Sequence, residues 1–147
     1  MPDGDMLPET HHVLRYCFSD RFSGGNISEA NFAPRPNRDK GKLSTVWVEC
    51  RNVPEHEQTL ESAKQHLLNQ IRARDDRDEV CMLNVAAVTA VGSNYGPIQI
   101  VEDWGKSNNK RHTSIGGLTS NSDFSQIDFA ACAALARLAR KNRQKAS

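Results

Sequence analysis

Residues 80–91, VCMLNVAAVTAV, form a long apolar run near the middle of this chain of 147 residues. The run is rich in β-branched side chains and lies between the charged segment 72–79 and the turn-forming segment 92–97. A strand that is buried on both faces has such a nearly continuous apolar sequence. We therefore predict that 80–91 is the central strand of a sheet and that residues 98–104 (IQIVEDW) return beside it as a hairpin.

Outward from this run, the sequence predicts two further strands and two helices. Residues 12–18 (HVLRYCF) and 43–50 (LSTVWVEC) alternate with the two-residue period of a strand. Pro54 and the acidic residues after it precede the segment 60–71, whose apolar side chains recur at helical spacing. The segment 125–141, with FAACAALA at its centre, is apolar nearly all round, which predicts a helix packed closely on several sides.

The order of these elements is β, long loop, β, α, β, β, loop, α. It predicts an α+β fold, a two-layer sandwich in which a mixed sheet of about four strands carries both helices on one face. The helix after the second strand would form one right-handed β-α-β crossover. We expect one domain at 11–141, with a flexible N-terminal arm at 1–10 and a basic C-terminal tail at 142–147.

Composition excludes several classes of protein. A formal net charge of +1 provides no whole-molecule attraction to nucleic acid or to an acidic membrane. No apolar run is long enough to span a bilayer, and the acidic, proline-broken start does not resemble a secretion signal. The four cysteines are far apart, which predicts buried thiols and not a disulfide or zinc site. We expect a cytoplasmic protein with no membrane contact, metal or cofactor.

The most suggestive polar segment is 110–117, KRHTSIGG, inside a predicted loop at 105–121. Phosphate binding needs donors and freely exposed backbone amides, which cations, hydroxyls and glycines supply. His112 is the candidate general acid or base. The candidate phosphate ligands of this segment are Lys110, Arg111, Thr113 and Ser114.

A second candidate is the irregular segment 19–42, which contains the candidate ligands Arg21, Arg35 and Arg38. These cations alternate with Phe22 and Phe32, a pattern that suits a nucleotide or single-stranded nucleic acid through phosphate contacts and base stacking. We expect Phe22, Phe32 and Ile27 to hold the segment against the core.

Ser44 begins the second predicted strand and would face His112 where the two polar segments share one edge of the sheet. A serine beside a histidine is the start of a nucleophilic site, and a carboxylate such as Asp39 or Glu49 would orient the imidazole. Ser44 and His112 are therefore the candidate catalytic residues.

Two functions remain open on these observations, and the local basic segments together with the absence of a known catalytic motif favour the first. The first is a small binding or accessory protein that docks on a protein or nucleic-acid partner through its basic loops and tail. The second is a small enzyme that acts on a phosphate-bearing or nucleotide substrate with His112 as general acid or base. Convergence of His112, Ser44 and either Arg15 or Arg21 in one place would favour the enzyme.

Overall fold

The structure, a computed structural model, describes residues 5–32, 43–71, 74–95, 98–103, 109–117 and 126–146. These residues form one six-stranded sheet with three α-helices and three short 3-10 turns. The strands are β1 His12–Cys17, β2 Leu43–Trp47, β3 Glu79–Asn84, β4 Gln99–Glu102, β5 His112–Gly116 and β6 Arg143–Lys145. The helices are α1 Leu60–Asn69, α2 Val85–Tyr95 and α3 Gln126–Ala139, and the 3-10 turns are Ser19–Arg21, Glu29–Asn31 and Glu55–Glu57.

The strand order is β4-β5-β2-β1-β3-β6, and each neighbouring pair is antiparallel. The predicted α+β class is confirmed, but the predicted mixed sheet of four strands with two helices on one face is wrong. The predicted β-α-β crossover between parallel strands is also wrong, because β1 lies between β2 and β3 and pairs antiparallel with both.

The apolar run 80–91 explains part of this correction, because it contains a strand and the start of a helix. Asn84 ends β3, and its side-chain Oδ1 accepts a hydrogen bond of 3.1 Å from the amide of Ala87, which caps α2. The alanines that follow favour a helix. Val85 and Val88 recur three residues apart on its buried side. The predicted hairpin of 80–91 with 98–104 is therefore a strand, a helix and a strand.

Two strands lie where the sequence predicted none. β5 falls in the predicted loop 105–121, and its polar residue Thr113 is fully buried because its hydroxyl lies 2.6 Å from that of Thr45 on β2. β6 falls in the predicted tail 142–147 and pairs with β3 at the edge of the sheet. β5 is an interior strand but, like the edge strand β6, it is short and rich in polar residues, so the sequence pattern does not reveal either strand.

The sheet is the middle of three layers, because alternate side chains of a strand point to opposite faces. One face packs against α2 and α3, and its core includes Val13, Trp47, Leu83, Ile100, Ile115, Val88, Cys132 and Leu135. The other face packs against α1, and its core includes Leu14, Tyr16, Val46, Val48, Val80, Ala63 and Leu67. We call these the double-helix face and the α1 face.

The start of the described chain lies along β4, within the segment predicted as an arm. Leu7 donates its amide hydrogen to the carbonyl of Ile100 at 3.1 Å, and the carbonyl of Asp5 accepts from the amide of Glu102 at 2.8 Å. Leu7 is buried. These bonds occupy backbone groups on the outer edge of β4, which would otherwise be open to pairing with another chain.

All four cysteines are buried and free, as predicted. Of the helices that the structure describes, none combines the length and the apolar character needed to cross a membrane.

Candidate functional site

The β2–β5 ladder brings the two candidate catalytic residues together. Ser44 lies opposite Ser114, and Val46 lies opposite His112. Because Val46 belongs to the core of the α1 face, Ser44, His112 and Ser114 also point to that face. Ser44 is exposed and His112 is half-buried. The two side chains are therefore neighbours on one strand pair, although 68 residues separate them in the sequence.

The imidazole of His112 is bonded through both ring nitrogens. Its Nε2 lies 3.1 Å from Ser44 Oγ, and its Nδ1 lies 2.5 Å from the backbone carbonyl oxygen of Asp103. A carbonyl oxygen can only accept, so Nδ1 carries the hydrogen. In the neutral ring Nε2 then accepts from the Ser44 hydroxyl. This is the tautomer in which a histidine can remove a proton from a serine.

Asp103 holds the ring by its main chain and not by its carboxylate. Its amide donates to the carbonyl of His112 at 3.0 Å, so the backbones of the two residues are also joined. The carboxylate Oδ2 accepts a hydrogen bond of 2.5 Å from the hydroxyl of Ser114, which is buried. The carbonyl of Asp103 thus takes the position that a carboxylate occupies in a Ser-His-Asp triad.

Of the two carboxylates proposed from the sequence, Glu49 does not orient His112. Glu49 instead pairs with His12, whose Nδ1 lies 2.6 Å from Glu49 Oε2 and whose backbone amide donates to Oε1 at 2.7 Å. Asp39 lies outside the described residues. Sequence reasoning missed the His12–Glu49 pair, because 37 residues separate its members and no motif spacing links them.

Arg15 lies next to the main chain of Ser44. One guanidinium nitrogen donates to the carbonyl of Ser44 at 2.8 Å, and Nε donates to the carbonyl of Asn31 at 2.9 Å. The guanidinium carbon lies 5.6 Å from the centroid of the Phe32 ring. A positive charge is therefore held beside the residue that carries the candidate nucleophile.

Two of the predicted phosphate ligands are neighbours with different environments. Arg111 is buried, and its guanidinium donates to the carbonyls of Trp47 at 3.1 Å and Val48 at 3.3 Å, and also to that of Glu57. These bonds use its donors within the protein, where they tie β2 to the turn before α1. Lys110 is exposed on the turn that precedes β5.

The other predicted ligands are dispersed. Thr113 points to the double-helix face, on the opposite side of the sheet from His112, and Ser114 donates to Asp103. Arg21 lies beyond the end of β1, with its guanidinium carbon 5.0 Å from the Phe18 ring centroid. Arg35 and Arg38 lie outside the described residues. The structure thus brings the side chains of Ser44 and His112 together. Arg15 lies between Val13 and Cys17 on β1 and points, like Thr113, to the double-helix face.

The cysteines differ from Ser44 in their accessibility. Burial raises the pKa of the Cys50 thiol. A hydrogen bond with Cys17, whose sulfur is 3.6 Å away, and burial raise the pKa of Cys81. A cysteine reacts as its thiolate, which a raised pKa disfavours. No group of three or more His, Cys, Asp or Glu side chains in the described part of the chain could hold a metal ion.

Comparison of the chain with family models, with curated proteins and with solved structures finds no match. Its function must therefore be inferred from the geometry of its own residues.

Proposed function

We propose that this protein is a small enzyme in which Ser44 is the nucleophile and His112 is its general base, acting on a phosphate-bearing or nucleotide substrate. The observation that supports the proposal is the 3.1 Å contact between His112 Nε2 and Ser44 Oγ. The bond from Nδ1 to the carbonyl of Asp103 leaves Nε2 as the acceptor. An exposed serine is a weak nucleophile unless such a base removes its proton.

The reaction would proceed by transfer of the Ser44 proton to His112 Nε2 as Oγ attacks the electrophilic phosphorus of the substrate. The new bond joins Oγ to that phosphorus, the bond to the leaving group breaks, and His112 returns the proton to the leaving group. Arg15 would hold the main chain of Ser44 in place from the opposite face of the sheet, because it donates to the Ser44 carbonyl. Water would then attack the phosphorus of the covalent intermediate. His112 would accept the proton from water and return it to Ser44 Oγ as the bond between Oγ and phosphorus breaks.

A fluorophosphonate probe tests this proposal without knowledge of the natural substrate. Attack by Ser44 Oγ on the probe forms an oxygen–phosphorus bond and releases fluoride. We expect mass spectrometry to find the adduct on Ser44. His112→Ala should slow labelling by about 100-fold or more, because general base catalysis contributes at least that factor.

The matched control for this experiment is Ser23→Ala, which removes an exposed serine outside the site. Labelling of this variant should equal that of the wild type. An adduct on other serines, or equal labelling rates in His112→Ala and wild type, would contradict the proposal.

Docking on a nucleic-acid partner is a second candidate function. The observation that favours it is a group of exposed cations after α3 and on β6, Arg140, Lys141 and Lys145. Binding that neutralises phosphates releases counterions, so affinity for a short single-stranded RNA should fall steeply between 50 and 200 mM salt, by about twentyfold for three contacts. Binding that does not change with salt, or that is absent, would exclude this function.

A further inference from the structure

We propose that a second site, separate from Ser44 and His112, binds a nucleotide unit, meaning a phosphate joined to a flat base. The site consists of two adjoining cavities at the end of β1, of about 270 Å³ and about 310 Å³, which share Ser19 and Arg77. We call it the Ser19 cleft. Ligand pockets begin at about 300 Å³, so the two cavities together can hold a nucleotide.

Aromatic side chains line both cavities. Phe18 lines the first cavity and Phe22 the second, and both are half-buried. A guanidinium lies near each ring, that of Arg21 at 5.0 Å from the Phe18 centroid and that of Arg143 at 6.0 Å from the Phe22 centroid. Bases stack on aromatic rings and on guanidinium planes, so each cavity offers a surface for a base.

The buried carboxylates that line the cleft are already bonded within the protein. Asp78 accepts hydrogen bonds from the Tyr16 hydroxyl at 2.6 Å, the Ser19 amide at 2.7 Å and the Asp75 amide at 2.9 Å. Glu79 accepts from two guanidinium nitrogens of Arg143. Their negative charges therefore interact with groups of the protein, which reduces their repulsion of a bound phosphate.

The cations of the cleft are more accessible than its buried carboxylates. Arg74 and Lys145 are exposed, and neither forms an ion pair with another described residue. Arg77 bonds to both oxygens of Asp75, two residues before it, at 3.1 and 3.2 Å. That pair is exposed on both sides, and such pairs contribute little to stability, so Arg77 can exchange its partner for a phosphate. Asp20 and Asp75 are the exposed carboxylates of the cleft that oppose these cations.

One wall of the cleft belongs to the face that carries the proposed catalytic site. Phe18 packs against the core of the α1 face, the face to which Ser44 points. Ser44 lies at the end of the β2–β5 ladder toward the start of β2, and Arg15 links this end to β1. A base stacked on Phe18 would be held on the face of the nucleophile, whereas Phe22 packs against the core of the double-helix face. This link to catalysis rests on the proposed function, whereas nucleotide binding does not.

Isothermal titration calorimetry with the full chain at low salt tests the site. The probes are AMP, adenosine and inorganic phosphate, and we expect AMP to bind more tightly than either part alone. Arg77→Ala should weaken AMP binding by about tenfold or more, because a charged hydrogen bond is lost. The matched control, Arg137→Ala, removes the same charge from an exposed position on α3 and should leave the affinity unchanged.

Phe18→Leu tests the aromatic contact, since leucine preserves apolar packing but has no ring. Its AMP affinity should fall toward that of inorganic phosphate while its melting temperature shows that it folds. A single-stranded hexanucleotide distinguishes two sources of the ligand. Binding of the hexanucleotide that is tighter than that of AMP and depends on salt indicates nucleic acid. An affinity equal to that of AMP indicates a free nucleotide. Either result supports a nucleotide site.

The inference is overturned if AMP binds no more tightly than inorganic phosphate, or if Arg137→Ala weakens binding as much as Arg77→Ala. The outcome is distinct from that of the fluorophosphonate experiment, because calorimetry requires no reaction and labelling requires no nucleotide. Binding of AMP without labelling of Ser44 would retain the cleft and remove the proposed nucleophile. Labelling of Ser44 without AMP binding would retain the proposed nucleophile and remove the cleft.

Discussion

The two faces of the sheet differ in how fully helices cover them. The double-helix face packs against α2 and α3, whose small and β-branched side chains, such as Ala136 and Val88, are fully or almost fully buried. The α1 face packs against one helix of ten residues, which contacts β1 and β2. The candidate catalytic residues Ser44 and His112 lie on this second face, where β2 meets β5.

Because of this difference, the residues that stabilise the fold and the candidate catalytic residues lie largely on different faces of the sheet. Side chains on the double-helix face are sealed from water, so the changes expected there concern packing. The α1 face leaves Ser44 exposed and His112 half-buried, so a substrate can reach them. Changes at these two residues should affect reactivity far more than folding. The following predictions test this separation, beginning with the largest expected effect on stability.

Leu135→Ala on α3 should be the most destabilising change. The side chain is fully buried on the double-helix face, and its truncation leaves a cavity that costs about 3–5 kcal/mol. Leu67→Ala on α1 is the matched variant for the other face, with an expected cost nearer 2 kcal/mol because the site is less enclosed. Urea unfolding measures both free energies. Equal losses would show that the two faces are equally well packed.

Arg111→Ala and Lys110→Ala compare two neighbouring cations. Loss of the buried guanidinium leaves the carbonyls of Trp47, Val48 and Glu57 without their donor, which should lower the free energy of unfolding by about 2–3 kcal/mol. Loss of the exposed Lys110 should change it by less than about 0.5 kcal/mol. If both variants were equally stable, Arg111 would not have the structural role that its contacts indicate.

Asp78 should make stability depend on pH in the acid range. Burial alone would raise the pKa of its carboxyl, but hydrogen bonds from the Asp75 amide, Tyr16 and Ser19 outweigh burial and lower it below 3.8. A carboxyl whose pKa is lower in the folded state stabilises the fold above its unfolded pKa, and this contribution is lost as the pH falls below about 4. Hydrogen bonds from Arg77 likewise lower the pKa of Asp75, to about 2.

The variant Asp78→Asn should lower the free energy of unfolding by about 1–3 kcal/mol at pH 7, because hydrogen bonds to a charged acceptor are weakened. The difference from wild type should shrink as the pH falls toward 2. Urea unfolding at pH 7 and pH 3 measures this change. Asp76→Asn, at an exposed position, is the control and should follow the wild type at both pH values. A difference that does not change with pH would contradict the role of Asp78.

Ser44→Ala and His112→Ala should have small effects on stability, below about 1 kcal/mol each, because the two side chains are exposed and half-buried. Both variants should nevertheless lose most of the fluorophosphonate labelling. Thermal unfolding followed by circular dichroism measures the first effect. A large loss of stability in either variant would assign these residues to the fold.

Much of the secondary structure was predictable because it depends on local patterns. The predicted strands at 12–18 and 43–50, and the predicted helix at 125–141, coincide with β1, β2 and α3 within a few residues. The prediction for the run 80–91 is wrong in its second half, because periodicity alone does not distinguish a buried strand from a buried helix in an apolar run. The cap formed by Asn84 is a local signal that would have divided it.

The candidate site was predictable in its residue types and not in its geometry. A serine and a histidine in polar surroundings suggested a nucleophile and a base, but their contact depends on the register of two strands 68 residues apart. The partner of the imidazole was not predictable, because every residue has a backbone carbonyl and no side chain identifies Asp103 as the one that accepts. The predicted carboxylate Glu49 pairs with His12 instead, and this contact also depends on the pairing of segments that are distant in the sequence.

The local sequence pattern by itself determined the α+β class, the buried thiols and helix α3, because these follow from periodicity and polarity over a few residues. The tertiary structure decided the six-stranded antiparallel sheet, its two unequal faces and the meeting of Ser44 with His112. Strand pairing between distant segments is selected by the burial of whole faces, not by the residues in contact. For that reason, only the folded chain determines which polar side chains share a face.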